Sequence, residues 1–376
     1  MKIAILTLPL HTNYGGILQA YALQTVLQRM GHEVEVLQKI PTNTHPPLLM
    51  PAVYTKRLIH KILVDPNTRV FLEKTKRREK PIIESNTSRF IADNIRLRHI
   101  KTLRDIAPSD YDAIIVGSDQ IWRKPYFMGM WNAPMKDAFL HFTHGWDIKR
   151  IAYAASFGCD NTDEYSRAEI EQCRKSLTQF NAISVREDSG VQICRDTLGQ
   201  KALHLLDPTM LLDKDDYIQL IKKSPTPPSP GNLLCYILDP TPFKDKIISE
   251  ITSRKHLTPF SVTAPVDDLS LPPRQRIQPP VEAWLRGFMD AEYIVTDSFH
   301  ACAFSIIFGK PFIAIGNTGR GLSRFTSLLT TFGLQDRLIL PQANLNKTPD
   351  IINLPLPTSL SIPREAPLSF IKTSLS

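Results

Sequence analysis

Asp297, Ser298 and His300 stand where a strand pattern meets a helix pattern, a place suited to chemistry. The run Tyr293-Ile294-Val295-Thr296 ends in Asp-Ser, and an apolar segment of helical length, Phe299–Phe308, follows. Gly309, Lys310 and Pro311 separate it from a second apolar run, Phe312–Ile315. Strand, tight turn, helix and strand in this order is the unit of a parallel sheet. Asp297 or Ser298 is expected to cap the helix, which puts His300 in its first turn. The free N–H groups there favour an anion, and an imidazole beside them can bond phosphate or pass a proton. The same residues also describe a plain capped helix with a surface histidine.

Other residues point to an anionic ligand. His11-Thr12-Asn13-Tyr14-Gly15-Gly16 lies between a first apolar strand, 2–8, and a helix with its apolar stripe at Ile17, Ala20, Leu23, Leu27 and Met30. Gly15 and Gly16 would let the backbone approach a ligand closely, or serve tight packing alone. The G-x-G-x-x-G spacing and the Walker-type lysine are both absent. After Ile315, the loop Gly316-Asn317-Thr318-Gly319-Arg320-Gly321 leads into Leu322-Ser323-Arg324-Phe325. Its guanidinium groups, Arg320 and Arg324, suit phosphate and carboxylate. Asp119, Arg186 and Asp207 each follow an expected strand: 113–116, 182–185 and 203–206. Open parallel sheets bind ligands at those strand ends. Asp119 and Arg186 suit a turn and a structural ion pair equally well, and for Asp207 a turn or cap role is expected. No group of Asp, Glu or His has metal-ligand spacing, so no metal is expected.

These residues need a frame. A length of 376 residues suits two domains, and 42% hydrophobic with 22% charged residues suits a soluble globular chain. No apolar run reaches the roughly 20 residues of a membrane span; Phe299–Ile315 comes near but contains His300, Lys310 and Pro311. The start, Met1-Lys2-Ile3-Ala4-Ile5-Leu6, is too short for a signal-peptide core and is expected to be a strand. Cys159, Cys173, Cys194, Cys235 and Cys302 are scattered without C-x-x-C spacing, as free thiols of a reducing cytoplasm would be.

The strand and helix alternation predicts an α/β fold of two Rossmann-like domains facing a cleft. The first spans 1–221. Lys222–Gly231, with four prolines, is a stiff linker; 232–345 forms the second domain; and 346–376 is a tail able to pack on either. Gly15, Gly16, Asp119 and Arg186 would face the cleft from one side, and His300, Arg320 and Arg324 from the other. Arg186 and His300 lie in different domains, so cleft closure is expected to bring them to one ligand.

The net charge is +8, and residues 51–104 hold 14 Lys/Arg against 5 Asp/Glu. This segment is expected to be helical, broken at Pro81, and inserted on the first domain outside its sheet. It suits anionic lipid head groups, or else a solvated helical hairpin. No helix-turn-helix, zinc-finger or RNP pattern accompanies it, so nucleic acid is not an expected partner.

Six blocks carry a resemblance: Asn13-Tyr14-Gly15-Gly16-Ile17-Leu18-Gln19-Ala20, Val116-Gly117-Ser118-Asp119-Gln120-Ile121-Trp122, Ser184-Val185-Arg186-Glu187, Asp207-Pro208-Thr209, Thr296-Asp297-Ser298-Phe299-His300, and the Arg320/Ser323-Arg324-Phe325 loop. In this order, across most of residues 1–335, they resemble the polysaccharide pyruvyl transferase family. Arg123 departs from it, since asparagine is expected after Trp122. The resemblance implies a fold similar to the two-domain B-type glycosyltransferases. It implies phosphoenolpyruvate as donor, no cofactor, and a polysaccharide or lipid-linked oligosaccharide sugar as acceptor. The product would be a cyclic pyruvate ketal with phosphate released, made in the cytoplasm or at the inner face of the membrane. Arg186 and His300 would serve the donor, and Asp119 an acceptor hydroxyl. Asn13, Tyr14, Gly15, Gly16, Asp297, Ser298, Arg320, Ser323 and Arg324 would bind substrate. One alternative is a nucleotide-sugar glycosyltransferase, for which Glu282 and Asp290 are the available ribose-binding acids. Another is a non-catalytic module that binds anionic sugars and tolerates loss of His300.

Overall fold

The computed structural model describes residues 1–41, 50–64, 66, 69–316, 321–340, 352–354 and 360–376. Short apolar runs closed by polar turns become strands covered on both faces, the arrangement parallel sheets require. In the first half, β1 (Lys2–Leu6) leads through α1 (Tyr14–Arg29) to β2 (Glu33–Lys39). Three helices follow, α2 (Met50–Leu63), α3 (Leu72–Ile83) and α4 (Ser85–Asn94), before β3 (Leu97–Ile100). The half continues with β4 (Ala113–Val116), α5 (Lys124–Trp131), β5 (Lys149–Ala155) and α6 (Arg167–Leu177). It ends with β6 (Ala182–Val185), α7 (Asp188–Gln192), β7 (Leu203–His204) and α8 (Lys214–Lys222). The strands are parallel in the order β3-β2-β1-β4-β5-β6-β7. The order reverses between β1 and β4, the switch point at which such sheets receive ligands.

The second half runs β8 (Leu233–Tyr236), α9 (Pro242–Lys255), β9 (Pro259–Phe260), α10 (Val281–Asp290) and β10 (Tyr293–Thr296). It closes with α11 (Phe299–Phe308), β11 (Phe312–Ile315), α12 (Leu322–Thr331) and β12 (Leu338–Ile339). Its parallel order is β12-β11-β10-β8-β9, with a switch point between β8 and β10. The expected α/β architecture of two Rossmann-like sheets is therefore present. All ten residues of α11 are buried, which explains why it is apolar on every side. Among the described residues no helix is long and apolar enough to cross a membrane.

One apolar cluster runs through both halves and includes Leu23, Tyr217, Trp284 and Phe304. Tyr14 crosses the boundary: its ring stacks on Trp284 at 5.4 Å and its hydroxyl donates to Pro279 O at 2.7 Å. Arg89 Nη2 donates to both carboxylate oxygens of Glu282 at 3.1 Å.

The basic segment differs from expectation. Leu97–Ile100 pairs with β2 as the sheet edge, and α4 buries Phe90 and Ile91 in the shared cluster. Only α2 and α3 stand outside this framework. Pro81 does not break α3, which runs on to Ile83. A proline in the last turn removes one N–H bond and leaves little helix beyond it to disturb.

The tail returns to the first half as α13 (Glu365–Leu375). Arg364 Nε and Nη2 donate to Met210 O at 2.8 Å and Leu212 O at 2.9 Å. Lys149 Nζ donates to Leu375 O at 2.9 Å, and Ile371 is buried in the shared cluster.

Candidate active site

The carboxyl ends of strands from the two sheets meet. Past β4 come Ser118 and Asp119, past β6 comes Arg186, past β7 comes Asp207, and past β10 come Asp297, Ser298 and the start of α11 with His300. Asp119 has the left-handed φ of 65°. Its carbonyl accepts from Ile121 N at 2.8 Å and Ser156 N at 3.1 Å, which holds that conformation.

Arg186 is 2% exposed. Its Nη1 donates to Asp207 Oδ2 at 2.7 Å and to Ser118 Oγ at 3.2 Å. Nη2 lies 3.8 Å from Asp119 Oδ1, and the guanidinium carbon lies 4.3 Å from the centre of the Phe299 ring. Nε and Nη2 are buried without a hydrogen-bond partner.

His300 Nε2 lies 3.5 Å from Arg186 Nη1 and 3.6 Å from Asp207 Oδ2. A Cβ on Gly15 would stand 2.0 Å from His300 Nδ1. The imidazole thus occupies the space that a side chain at position 15 would need, so Gly15 serves close approach rather than a special φ. Asp207 is buried, and its Oδ1 accepts from Thr209 N at 3.0 Å and Thr209 Oγ1 at 2.7 Å. Burial pushes the Asp207 carboxyl up, but bonding and charge from His300 and Arg186 outweigh it and hold the group well below the usual carboxylate range.

Arg324, in the first turn of α12, is buried with its guanidinium carbon 5.8 Å from the Phe299 ring centre. Burial, with Arg186 nearby, pulls it down to about 10. Ser323 beside it has a buried Oγ with no hydrogen-bond partner. Gly321 has a φ of 85°, and a Cβ there would fall 2.2 Å from Gly158 O, so glycine lets α12 seat against the first half. Glu187 is fully buried, and its Oε1 accepts from Phe157 N at 2.7 Å and Ser156 Oγ at 3.0 Å. Burial raises its pKa against the pull of Arg186 and Arg324.

A cleft of about 760 Å³ opens above this floor, lined by Gly15, Asp119, Ser298, His300 and Arg324. Arg186 does not line the cleft itself but lies 3.8 Å from Asp119 and 3.5 Å from His300, which do. The floor can hold an anion between guanidinium groups, place an imidazole beside it, and offer Asp119 to a hydroxyl.

Of the expected site residues, Gly15, Asp119, Asp297, Ser298, His300 and Arg324 line this cleft and Arg186 adjoins Asp119 and His300, whereas Ser323 does not line it. Asn13 stands at the rim, its Nδ2 donating to Asp119 Oδ2 at 3.5 Å and its Oδ1 accepting from Gly16 N at 3.3 Å. Gly16 lies beside the Asp119 carboxylate. Arg320 lies outside the described residues.

Four expectations need correction. Tyr14 does not face the cleft; its hydroxyl and ring are used to join the two halves. Asp297 does not cap α11, because its carboxylate accepts from Leu238 N at 2.7 Å, Asp239 N at 3.0 Å and Lys244 Nζ at 2.7 Å. Ser298 occupies the cap position without a side-chain capping bond. Arg186 and His300 need no closure to meet. For Asp207 a turn or cap role is expected; it does cap Thr209, and beyond that its other oxygen holds Arg186. The available signal was its place on the same strand-end edge as Arg186. Ser118 and Phe299 escaped notice as site residues because their contacts there, Arg186 and Asp207 for Ser118 and Arg186 for Phe299, are distant in sequence. Arg123 takes local partners, Gln120 Oε1 at 3.1 Å and Glu164 Oε1 at 3.3 Å.

The sequence profile of the family described as polysaccharide pyruvyl transferase matches residues 13–319, most of the chain. The chain belongs to the polysaccharide pyruvyl transferase family. In this family member the matched span opens at Asn13 and takes in Gly15, Asp119, Arg186, Asp207 and His300, while Arg324 lies beyond its end. No curated protein matches the sequence. Similar solved structures include UDP-GlcNAc 2-epimerase from Neisseria meningitidis bound to UDP-GlcNAc, with 11% identity and a TM-score of 0.48 over 100% of this chain and 99% of that one. The Methanocaldococcus jannaschii UDP-GlcNAc 2-epimerase has 13% identity and a TM-score of 0.49 over 99% of both chains.

Proposed function

We propose that this pyruvyl transferase family member takes pyruvate from phosphoenolpyruvate and places it on a sugar of a polysaccharide or lipid-linked oligosaccharide as a cyclic ketal. The observation that carries this reading is Arg186, whose buried Nε and Nη2 have no hydrogen-bond partner and whose Nη1 lies 3.5 Å from His300. Such a guanidinium suits an anion that supplies the missing acceptors.

In this scheme Arg186 and Arg324 hold the donor carboxylate and phosphate. His300 gives a proton to the donor's methylene carbon, which becomes a methyl group, and charge develops at the neighbouring carbon. One sugar hydroxyl attacks that carbon and loses its proton to Asp119. The bond to the phosphate oxygen breaks, phosphate leaves, and a second hydroxyl closes the ring. Of the two hydroxyl protons, one replaces the proton spent by His300 and the other leaves with phosphate. Asp207 stays ionised and steadies both Arg186 and His300.

The test is phosphate release from phosphoenolpyruvate with a panel of lipid-linked sugars, with mass analysis of the sugar product. Acceptor-dependent phosphate release with a ketal-bearing product is expected. Turnover of a nucleotide sugar without phosphoenolpyruvate would replace this reading with a glycosyltransferase. Tight sugar binding that survives loss of His300, without turnover, would replace it with a binding module.

A further inference from the structure

We propose that α2 and α3 form a docking element for the surface of an anionic lipid bilayer. Helix α2 has no buried residue. Leu58, Ile59, Ile62 and Leu63 fall on one side of it and are 47%, 52%, 71% and 75% exposed, and Val64 beyond them is 69% exposed. A stripe of this kind normally faces a core or a partner.

Helix α2 is tied to the rest of the protein along one edge of this stripe. Arg57 makes two bonds to Glu73 of α3, at 2.6 and 2.7 Å, and Tyr54 meets Phe71 edge-on at 4.8 Å. α3 is anchored in turn by Glu79, which accepts from Arg276 Nη1 at 2.7 Å in a buried pair. Leu58 and Ile62 border a groove of about 570 Å³ with Val70 and Phe71, so the stripe lies at the rim of this mount and stays open to solvent, with Ile59 and Leu63 beside it.

Charge identifies the occupant. Residues 50–83 contain nine Lys/Arg against three Asp/Glu. Lys56, Lys61, Lys74, Lys76, Arg77, Arg78 and Lys80 are exposed. An apolar stripe flanked by lysines and arginines is the form of a helix that lies in the interface of an anionic membrane. A protein partner would have to bury the stripe and also neutralise this spread of positive charge; a negatively charged bilayer does both with one surface.

The placement serves access to the site. Lys80 and Glu84, at the root of α3, border a cavity of about 470 Å³ shared with Leu10 and His11. His11 also lines the catalytic cleft. The root of the α2–α3 element thus lies beside the cleft entrance. The docking does not depend on the proposed reaction, and its test needs no substrate.

Co-sedimentation of the full chain with vesicles decides the matter. Binding is expected to vesicles of equal parts phosphatidylglycerol and phosphatidylcholine, to fall with salt, and to be weak with phosphatidylcholine alone. Lys56→Ala with Lys61→Ala should lower partitioning roughly 25-fold, since each basic residue near such a surface contributes about fivefold. Ile62→Ser with Leu63→Ser should lower it about tenfold or more through lost apolar contact. These four side chains are exposed, and an unchanged circular dichroism spectrum confirms that the variants fold. Equal, weak sedimentation with and without anionic lipid would overturn the proposal. So would a lipid-free dimer that Ile62→Ser with Leu63→Ser converts to monomer, because the stripe would then be a subunit contact.

Discussion

Arg186 and His300 follow strands of different sheets, yet their side-chain nitrogens lie 3.5 Å apart above the carboxylate of Asp207. Asp207 serves both groups from one side, while Asp119 stands 3.8 Å from Arg186 Nη2 on the cleft. The carboxyl ends of the two sheets therefore make one site between them.

Arg186→Ala should weaken phosphoenolpyruvate binding by about 2–5 kcal/mol, the range for losing one partner of a desolvated charge pair. It also leaves Asp207 buried beside fewer donors, so the melting temperature should fall. Calorimetric titration with phosphoenolpyruvate and thermal unfolding check both effects. Unchanged donor affinity would remove Arg186 from the donor site.

His300→Ala should slow single turnover by about two to four orders of magnitude if the imidazole delivers the proton. Donor affinity should then hold. Rapid-quench rates beside calorimetry separate this role from phosphate binding, which would make His300→Ala resemble Arg186→Ala. Normal rate and affinity in both variants would leave His300 as a buried helix residue and nothing more.

Asp207 sets an acid limit on stability. Burial opposes its charge, but His300 and Arg186 prevail and its folded pKa is depressed. A depressed carboxylate pKa adds stability that is complete above the unfolded value of about 3.9 and is lost as pH falls below it. Asp207→Asn should cost about 3–5 kcal/mol at neutral pH, because Arg186 loses its charged partner. The variant should also lose less stability than the parent as pH falls from about 5 toward 2. Urea unfolding across that range measures both, and parallel curves would contradict the assignment.

Gly15→Ala should disable the enzyme while Gly16→Ala should not. A methyl at 15 falls 2.0 Å from His300 Nδ1, whereas one at 16 falls 3.3 Å from Asn13 Nδ2, a side chain at the rim. Displacing the imidazole from its packed position should cost about 1–3 kcal/mol of stability as well. Phosphate release and melting temperature for the pair of variants form the check.

Activity should persist in chelator. Arg186, Arg324 and His300 can supply positive charge to the donor, and no metal-type ligand cluster occurs among the described residues. Activity lost in chelator and restored by magnesium or manganese would contradict this and favour nucleotide-sugar chemistry.

Much of this was legible where the signal is local. Ala113–Val116 and Ala182–Val185 are short apolar runs between polar turns, and both strands lie where the pattern put them. Leu97–Ile100 misled because Arg98 and His99 are exposed on an edge strand, so the run lacks the apolar continuity of the central strands. Tyr14 could not be assigned from its neighbours in sequence, because its hydroxyl partners, Val262 and Pro279, are 248 and 265 residues away. Asp207 shows a different difficulty. Its turn-making bond to Thr209 is local, while its bond to Arg186 depends on how β6 and β7 align. Asp297 looked available as a cap because the donors that satisfy its carboxylate lie in a loop about sixty residues earlier, a pairing set by the β8–β10 register.

Helix α13 has a consequence for biosynthesis. Its clasp on Met210, Leu212 and Lys149 belongs to the first half, but the ribosome makes it only after the whole second half. At the 5–20 residues per second of translation, the first sheet waits on the order of ten seconds between the synthesis of α8 and that of the helix that covers it. During that interval the surface around Tyr153, which Phe370 later meets at 6.2 Å, is open to other chains. Nascent-chain aggregation should therefore peak late in elongation and subside on release, and a chaperone that acts on this protein would find its work there.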